Sequence, residues 1–192
     1  KGVGILTQPL FISNNMGKSC LNKLSGNITG GCTIPRVGVE NIYLMHAEDV
    51  TFGPDVDNLA ILGATFSPGS SVILVEGYKQ NIQVTGALRT TDVSAKMDIN
   101  VMFKMPRSAD GATARTRSLL TGRFYVLAEY QDNTRMLVGY TTPLECSGAD
   151  WDSNANAGMM TFTLSAPEGS GGNYIMSVAD AAANQIKAKV GV

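Results

Sequence analysis

The segment Val93–Met105 constrains this chain more than any other. Val93, Ala95, Met97, Ile99, Val101, Phe103 and Met105 alternate with Ser94, Lys96, Asp98, Asn100, Met102 and Lys104 over thirteen residues. Successive side chains of a β-strand point to opposite faces, so a sustained period of two specifies a strand with one dry and one wet face. A helix would need apolar residues three and four apart. The segment is also long, because most strands have about five or six residues. Asn81–Leu88 alternates in the same way: Ile82, Val84 and Leu88 lie on one parity, Asn81, Gln83, Thr85 and Ala87 on the other. Thr90-Thr91-Asp92 supplies a turn between the two segments.

Shorter β-like segments surround this pair. Val39–Met45, Leu59–Ala64, Ser70–Tyr78, Met159–Ser165 and Tyr174–Val178 are rich in strand-forming residues. Arg123–Tyr130, with Phe124, Val126, Ala128 and Tyr130 on one side, and Arg135–Tyr140 flank an Asp132-Asn133 turn and predict a hairpin. Ser108 as N-cap, Ala109–Leu120 as helix and Gly122 as terminator form one helical unit, with Ala112, Leu119 and Leu120 as its inner face. A short helix is expected over Ala179–Lys189, and a polar loop around Trp151 over residues 145–158. Residues 1–35, dense in Gly, Asn and Ser, read as an extended arm, leaving 36–192 as a single domain. Runs of strands around one helix, rather than βαβ alternation, predict a mainly β fold: an antiparallel sandwich or barrel with one packed α-helix at about 109–120.

Composition narrows the partners. Only 16% of residues are charged against 44% hydrophobic, below the usual quarter or so for a soluble domain, which favours surface hidden in an interface. A net charge of −1 provides no field to attract nucleic acid or an anionic membrane. No apolar run approaches the roughly 20 residues that span a bilayer. Lys1-Gly2-Val3-Gly4-Ile5-Leu6 is too short and too weakly apolar for a secretory signal. Cys20, Cys32 and Cys146 are an odd set with irregular spacing, read as free thiols, with a Cys20–Cys32 bridge as the alternative.

The motifs that carry chemistry are incomplete. Gly17-Lys18-Ser19 ends like a phosphate loop but lacks the upstream glycine, and Gly169-Ser170-Gly171-Gly172 lies between predicted strands. His46 is the only histidine; beside Glu48 and Asp49 it suggests an acid–base or metal cluster, yet facial metal sets usually carry two His. Asp55, Asp57 and Asn58 lack the remainder of a calcium loop. Asn27-Ile28-Thr29 matches a glycosylation acceptor. The expectation is therefore no enzyme, no cofactor and no metal. One alternative is a carbohydrate-binding or adhesin-like module, with Trp151, Tyr125, Tyr130 and Tyr140 as stacking groups; another is a hydrolase built on His46.

From Tyr78 to Ser165 the order of elements resembles the tail-tube and tail-ring (connector) proteins of tailed bacteriophages, in the form found in phages of Bacteroidetes hosts. The long pair Asn81–Leu88 and Val93–Lys104 precedes the helix Ala109–Leu120. The hairpin Arg123-Phe-Tyr-Val-Leu-Ala-Glu-Tyr-Gln-Asp-Asn-Thr-Arg-Met-Leu-Val-Gly follows, and a Gly/Asn/Asp loop leads to Met159-Met-Thr-Phe-Thr-Leu-Ser-Ala-Pro-Glu-Gly. The resemblance implies a virion structural protein whose long strands are shared between subunits of a six- or twelve-fold ring. It implies contact with neighbouring tail or connector proteins, transient non-specific contact with phage DNA, and no membrane. The wet face of the long strand, Ser94, Lys96, Asp98, Asn100 and Lys104, is the candidate oligomer or lumen strand; its mixed charge would not hold DNA phosphates tightly.

Overall fold

The computed structural model describes residues 38–55, 59–77, 81–90, 95–106, 112–151, 159–167 and 175–191. The expected arm over 1–35, with Cys20, Cys32 and Asn27, lies outside the described residues, as do Asp57, Asn58, Ser94 and Ser108.

Eleven strands and two helices form the described chain. They are β1 (Val39–His46), β2 (Val50–Asp55), β3 (Ala60–Phe66), β4 (Ile73–Glu76), β5 (Ile82–Thr90), β6 (Ala95–Pro106), α1 (Ala112–Thr121), β7 (Arg123–Tyr130), β8 (Arg135–Val138), β9 (Leu144–Trp151), β10 (Met159–Ser165), β11 (Met176–Val178) and α2 (Asp180–Lys187). The sheet is open and runs β2-β3-β11-β8-β7-β9-β10-β6-β5, with β1 on the second edge of β7 and β4 beside β1. One pairing is parallel, Ser177 to Ala60 and Val178 to Ile61 between β11 and β3, so the sheet is mixed where sequence patterning predicts it antiparallel. β11 enters beside β3 in the same direction, and α2, which follows it, packs on β3. The second helix, Asp180–Lys187, lies where a short helix was expected over Ala179–Lys189, and it packs on the sheet as α1 does.

The long hairpin forms as its alternation requires. β5 and β6 pair continuously from Ile82–Phe103 to Thr90–Ala95. Ile82, Ile99, Val101 and Phe103 are buried, and Phe103 stacks on its cross-strand partner Phe162 with ring centroids 5.5 Å apart. The β7–β8 turn also forms as expected: Asn133 adopts φ 63° and the Asp132 carboxylate accepts the Thr134 N–H at 2.9 Å.

β1 and β7 carry the weight of the fold because both of their faces are dry. Ile42, Leu44, Phe124, Val126 and Ala128 point into a first core with Ile99, Val101, Phe103, Phe162 and Leu164. Tyr43, Met45 and Leu127 point the other way, into a second core with Val50, Ile61, Leu137, Met176, Ala182 and Ile186. α1 faces the first core through Leu119, whereas Leu120 is 51% exposed rather than on the inner face.

Two strands form without a strand pattern in the sequence, β9 in a segment read as a loop and β2 in one assigned to no element. β9, Leu-Glu-Cys-Ser-Gly-Ala-Asp-Trp, has one buried residue, Leu144, and is held by its ladder to β10 rather than by apolar pattern. β2 contains Gly53-Pro54, normally a turn signal; the proline is tolerated because β2 is an edge strand and the ladder bulges there.

Gly122 ends α1 by donating its N–H to the Ser118 carbonyl at 2.9 Å. It does so without a left-handed backbone. Glycine is needed for space: a Cβ there would lie 2.6 Å from Phe124 Cζ and 2.8 Å from the Ser118 oxygen. At Gly77 a Cβ would lie 2.1 Å from the Glu40 oxygen. Gly122→Ala and Gly77→Ala are each expected to lower stability by about 1–3 kcal/mol through overpacking, whereas Gly148→Ala, whose Cβ would sit 3.9 Å from Thr163, changes it little. Chemical denaturation of the three variants checks this ordering.

Candidate functional site: the outer face of β5–β6 and the Glu129 cluster

The side chains of β6 that point away from the first core meet those of β5, β10 and β9 in cross-strand rows. Asn100 stands between Thr85 and Ser165, and Met102 between Gln83 and Thr163. Lys104 faces Thr161, which faces Asp150 on β9. Asp98 lies opposite Ala87, and Lys96 is placed by register opposite Arg89. Gln83, Thr85, Ala87, Asn100 and Asp150 are exposed; Asp98, Met102, Lys104, Thr161, Thr163 and Ser165 are half-buried. This is a wide hydroxyl- and amide-bearing surface on which Asp98, Lys104 and Asp150 offer charges of both signs. Of the candidate strand residues, Lys96, Asp98, Asn100 and Lys104 are thus in one strand, and Ser94 lies outside the described residues. The row contributed by β9 was not legible in the sequence, because Asp150 lay in a segment read as loop, and the place of β10 beside β6 depends on sheet order.

The alternative chemistries are less well assembled. His46 ends β1, its ring 4.7 Å from that of Phe124, and lines an open pocket of about 480 Å³ with Glu48, Asp49, Thr121 and Arg123. Arg123 is paired with Glu145 at 2.7 Å. Among the described residues no three His, Cys, Asp or Glu side chains are placed to hold a metal ion. The aromatic groups do not converge: Tyr125 and Tyr140 gather around Phe52 in the second core, Tyr130 packs on the first, and Trp151, 50% exposed, ends β9. Cys146 is half-buried, its thiol donating to the Gly148 carbonyl at 3.4 Å, and burial raises its pKa.

One cluster escaped sequence reading altogether. Glu129 lies on the second face of β7, with its side chain 8% exposed. Its Oε1 accepts from Arg135 Nε at 2.9 Å and Lys187 Nζ at 2.5 Å, and its Oε2 from the Tyr43 hydroxyl at 3.2 Å. Arg135 also pairs with Asp180 at the start of α2, and Lys187 Nζ stands 5.6 Å from the Tyr43 ring centroid. Burial alone would raise the Glu129 carboxyl, but hydrogen bonds from Lys187 and Arg135 outweigh it and hold the group below its ordinary 4.5. Tyr43 is pushed up to about 12 by burial and by the neighbouring Glu129 charge. The only sequence signal was a lone carboxylate inside an apolar strand, six residues before an arginine.

No protein-family model matches the chain, nor does any curated protein or solved structure.

A buried carboxylate deprived of its partners, or cations deprived of their carboxylate, cost about 3–5 kcal/mol. Glu129→Ala is therefore expected to lower stability by about 3 kcal/mol, which corresponds to a melting temperature lower by about 6–12 °C. The depressed carboxyl contributes stability that is fully present above its unfolded value and is lost as pH falls through the folded one. Wild-type stability should thus drop on acidification below pH 4.5, with a smaller drop in Glu129→Ala. Urea melts across pH 3–7, an interval set about that ordinary value, measure both.

Proposed function

We propose that the chain is a virion structural protein that assembles with copies of itself into a ring or tube of a phage tail and forms part of the channel for DNA passage. The observation that carries this reading is the outer face of the β5–β6 hairpin, polar over four strands and backed by a continuous apolar core. A channel wall must be wetted and must let a polyanion slide, so it needs hydroxyls and amides with balanced charge rather than a basic stripe. Thr85, Asn100, Thr161, Thr163, Lys104 and Asp150 have that chemistry.

A second support is the open sheet. β5 stands at one end of the strand order and β2 at the other. Long edge strands invite pairing with another chain, and ring closure removes them. In this reading the described chain is the wall of a β-sandwich or barrel whose long strands continue into those of its two neighbours in a ring of six or twelve copies. Further tail or connector proteins stack above and below, and the site of action is the virion.

Electron microscopy of the purified chain at micromolar concentration is expected to show closed rings or short tubes. A monodisperse monomer under every condition, in virions included, would contradict the proposal. Lys96→Glu with Lys104→Glu should leave the circular dichroism spectrum and thermal transition of the subunit intact; unfolding of the subunit would show that the face is misassigned.

A further inference from the structure

We propose that α2 is an acid-released strap: protonation of Glu129 frees the helix as a unit from the β7–β8 hairpin and opens the second core. This device is independent of the assembly role proposed above.

Beyond its packing on β3, few attachments hold the helix among the described residues. α2 has eight residues, too few to be stable alone, and its N-cap Ala179 provides no side-chain cap. It buries only Ala182, Ala183 and Ile186, two of them the smallest side chains that can pack. Its polar attachments are few. The Ala64 N–H donates to Gln185 Oε1 at 2.7 Å. Backbone bonds flank it, Ala179 N–H to the Ile61 carbonyl and Val72 N–H to the Lys189 carbonyl, both 2.9 Å. The remaining ties are ionic and converge on one place: Asp180 at the first turn on Arg135, Lys187 at the last turn on Glu129, with Arg135 and Glu129 bound to each other. Glu129 therefore holds the last turn of the helix directly and the first turn through Arg135.

The groups facing Glu129 are Tyr43 and, further along β1, Glu40; Arg135 from β8; and Lys187 and Asp180 from α2. When Glu129 takes a proton, Lys187 loses its anion and Arg135 keeps only Asp180, which is 89% exposed and weakly held. Two like-charged groups, Lys187 and Arg135, then face one another without a counter-charge between them. None of these groups belongs to the first core, so acid acts on α2 before it acts on β6 and β10. Release opens the second core, in which Ala182 and Ile186 of α2 pack with Leu127, Leu137 and Met176.

Hydrogen exchange of the full chain, read by mass spectrometry as protection factors, tests this. Between pH 7 and 3.5, values about the ordinary carboxylate range, the α2 segment should lose protection, by up to about tenfold for one titrating carboxyl, while β1 and β7 keep theirs. Glu129→Gln should show the low α2 protection already at neutral pH, with little further change in acid. If that variant fails to fold, Lys187→Met leaves Glu129 its bonds to Arg135 and Tyr43 and should still lower α2 protection at neutral pH. The proposal is overturned if α2 protection is independent of pH, if it is lost only together with β1 and β7, or if Lys187→Met leaves it unchanged.

Discussion

The described fold depends on β1 and β7 lying against each other with apolar side chains on both faces. The pairing runs from Val39–Tyr130 to His46–Phe124, and its alternate residues feed two separate cores. Each large apolar side chain fully removed from water contributes about 1.5–3 kcal/mol, and this ladder contributes Ile42, Leu44, Met45, Phe124, Val126 and Leu127. Everything else attaches to one side or the other. The β5–β6 hairpin, β10, β9 and α1 close the first core; β2, β3, β11 and α2 close the second.

The two sides are built on different physical terms. The first is closed by long ladders and stacked aromatic rings, Phe103 on Phe162, with its outward face left polar. The second is capped by a short helix with a small apolar contact and a buried carboxylate that takes three hydrogen bonds. Buried ion clusters of this kind rarely add stability over an apolar substitute, yet they are costly to break. Their use here fits a joint that opens, whereas the first side fits a rigid wall.

Period-two alternation made β5, β6, β7 and β10 legible in the sequence, and strand-forming residues made β1 so, although both of its faces are dry. β9 and β2 were not legible: they carry Gly, Pro, Ser and Asp, and their strand state is imposed by the partners that supply their hydrogen bonds. The parallel entry of β11 beside β3 is a pairing that no local pattern announces. The candidate face was half legible, since Asp98, Asn100 and Lys104 could be assigned to the wet parity of one strand. Its width over β10 and β9 depends on sheet order. The Glu129 cluster joins residues 43, 129, 135, 180 and 187, a set assembled only by tertiary packing.

We propose that this chain acts as one wall segment of a larger closed assembly. Native mass spectrometry of the purified protein tests it most directly, because a closed ring has one discrete subunit count. A dominant species of six or twelve copies of the 20.3 kDa chain is the predicted result. A single 20.3 kDa species, unchanged as concentration rises, would contradict the account.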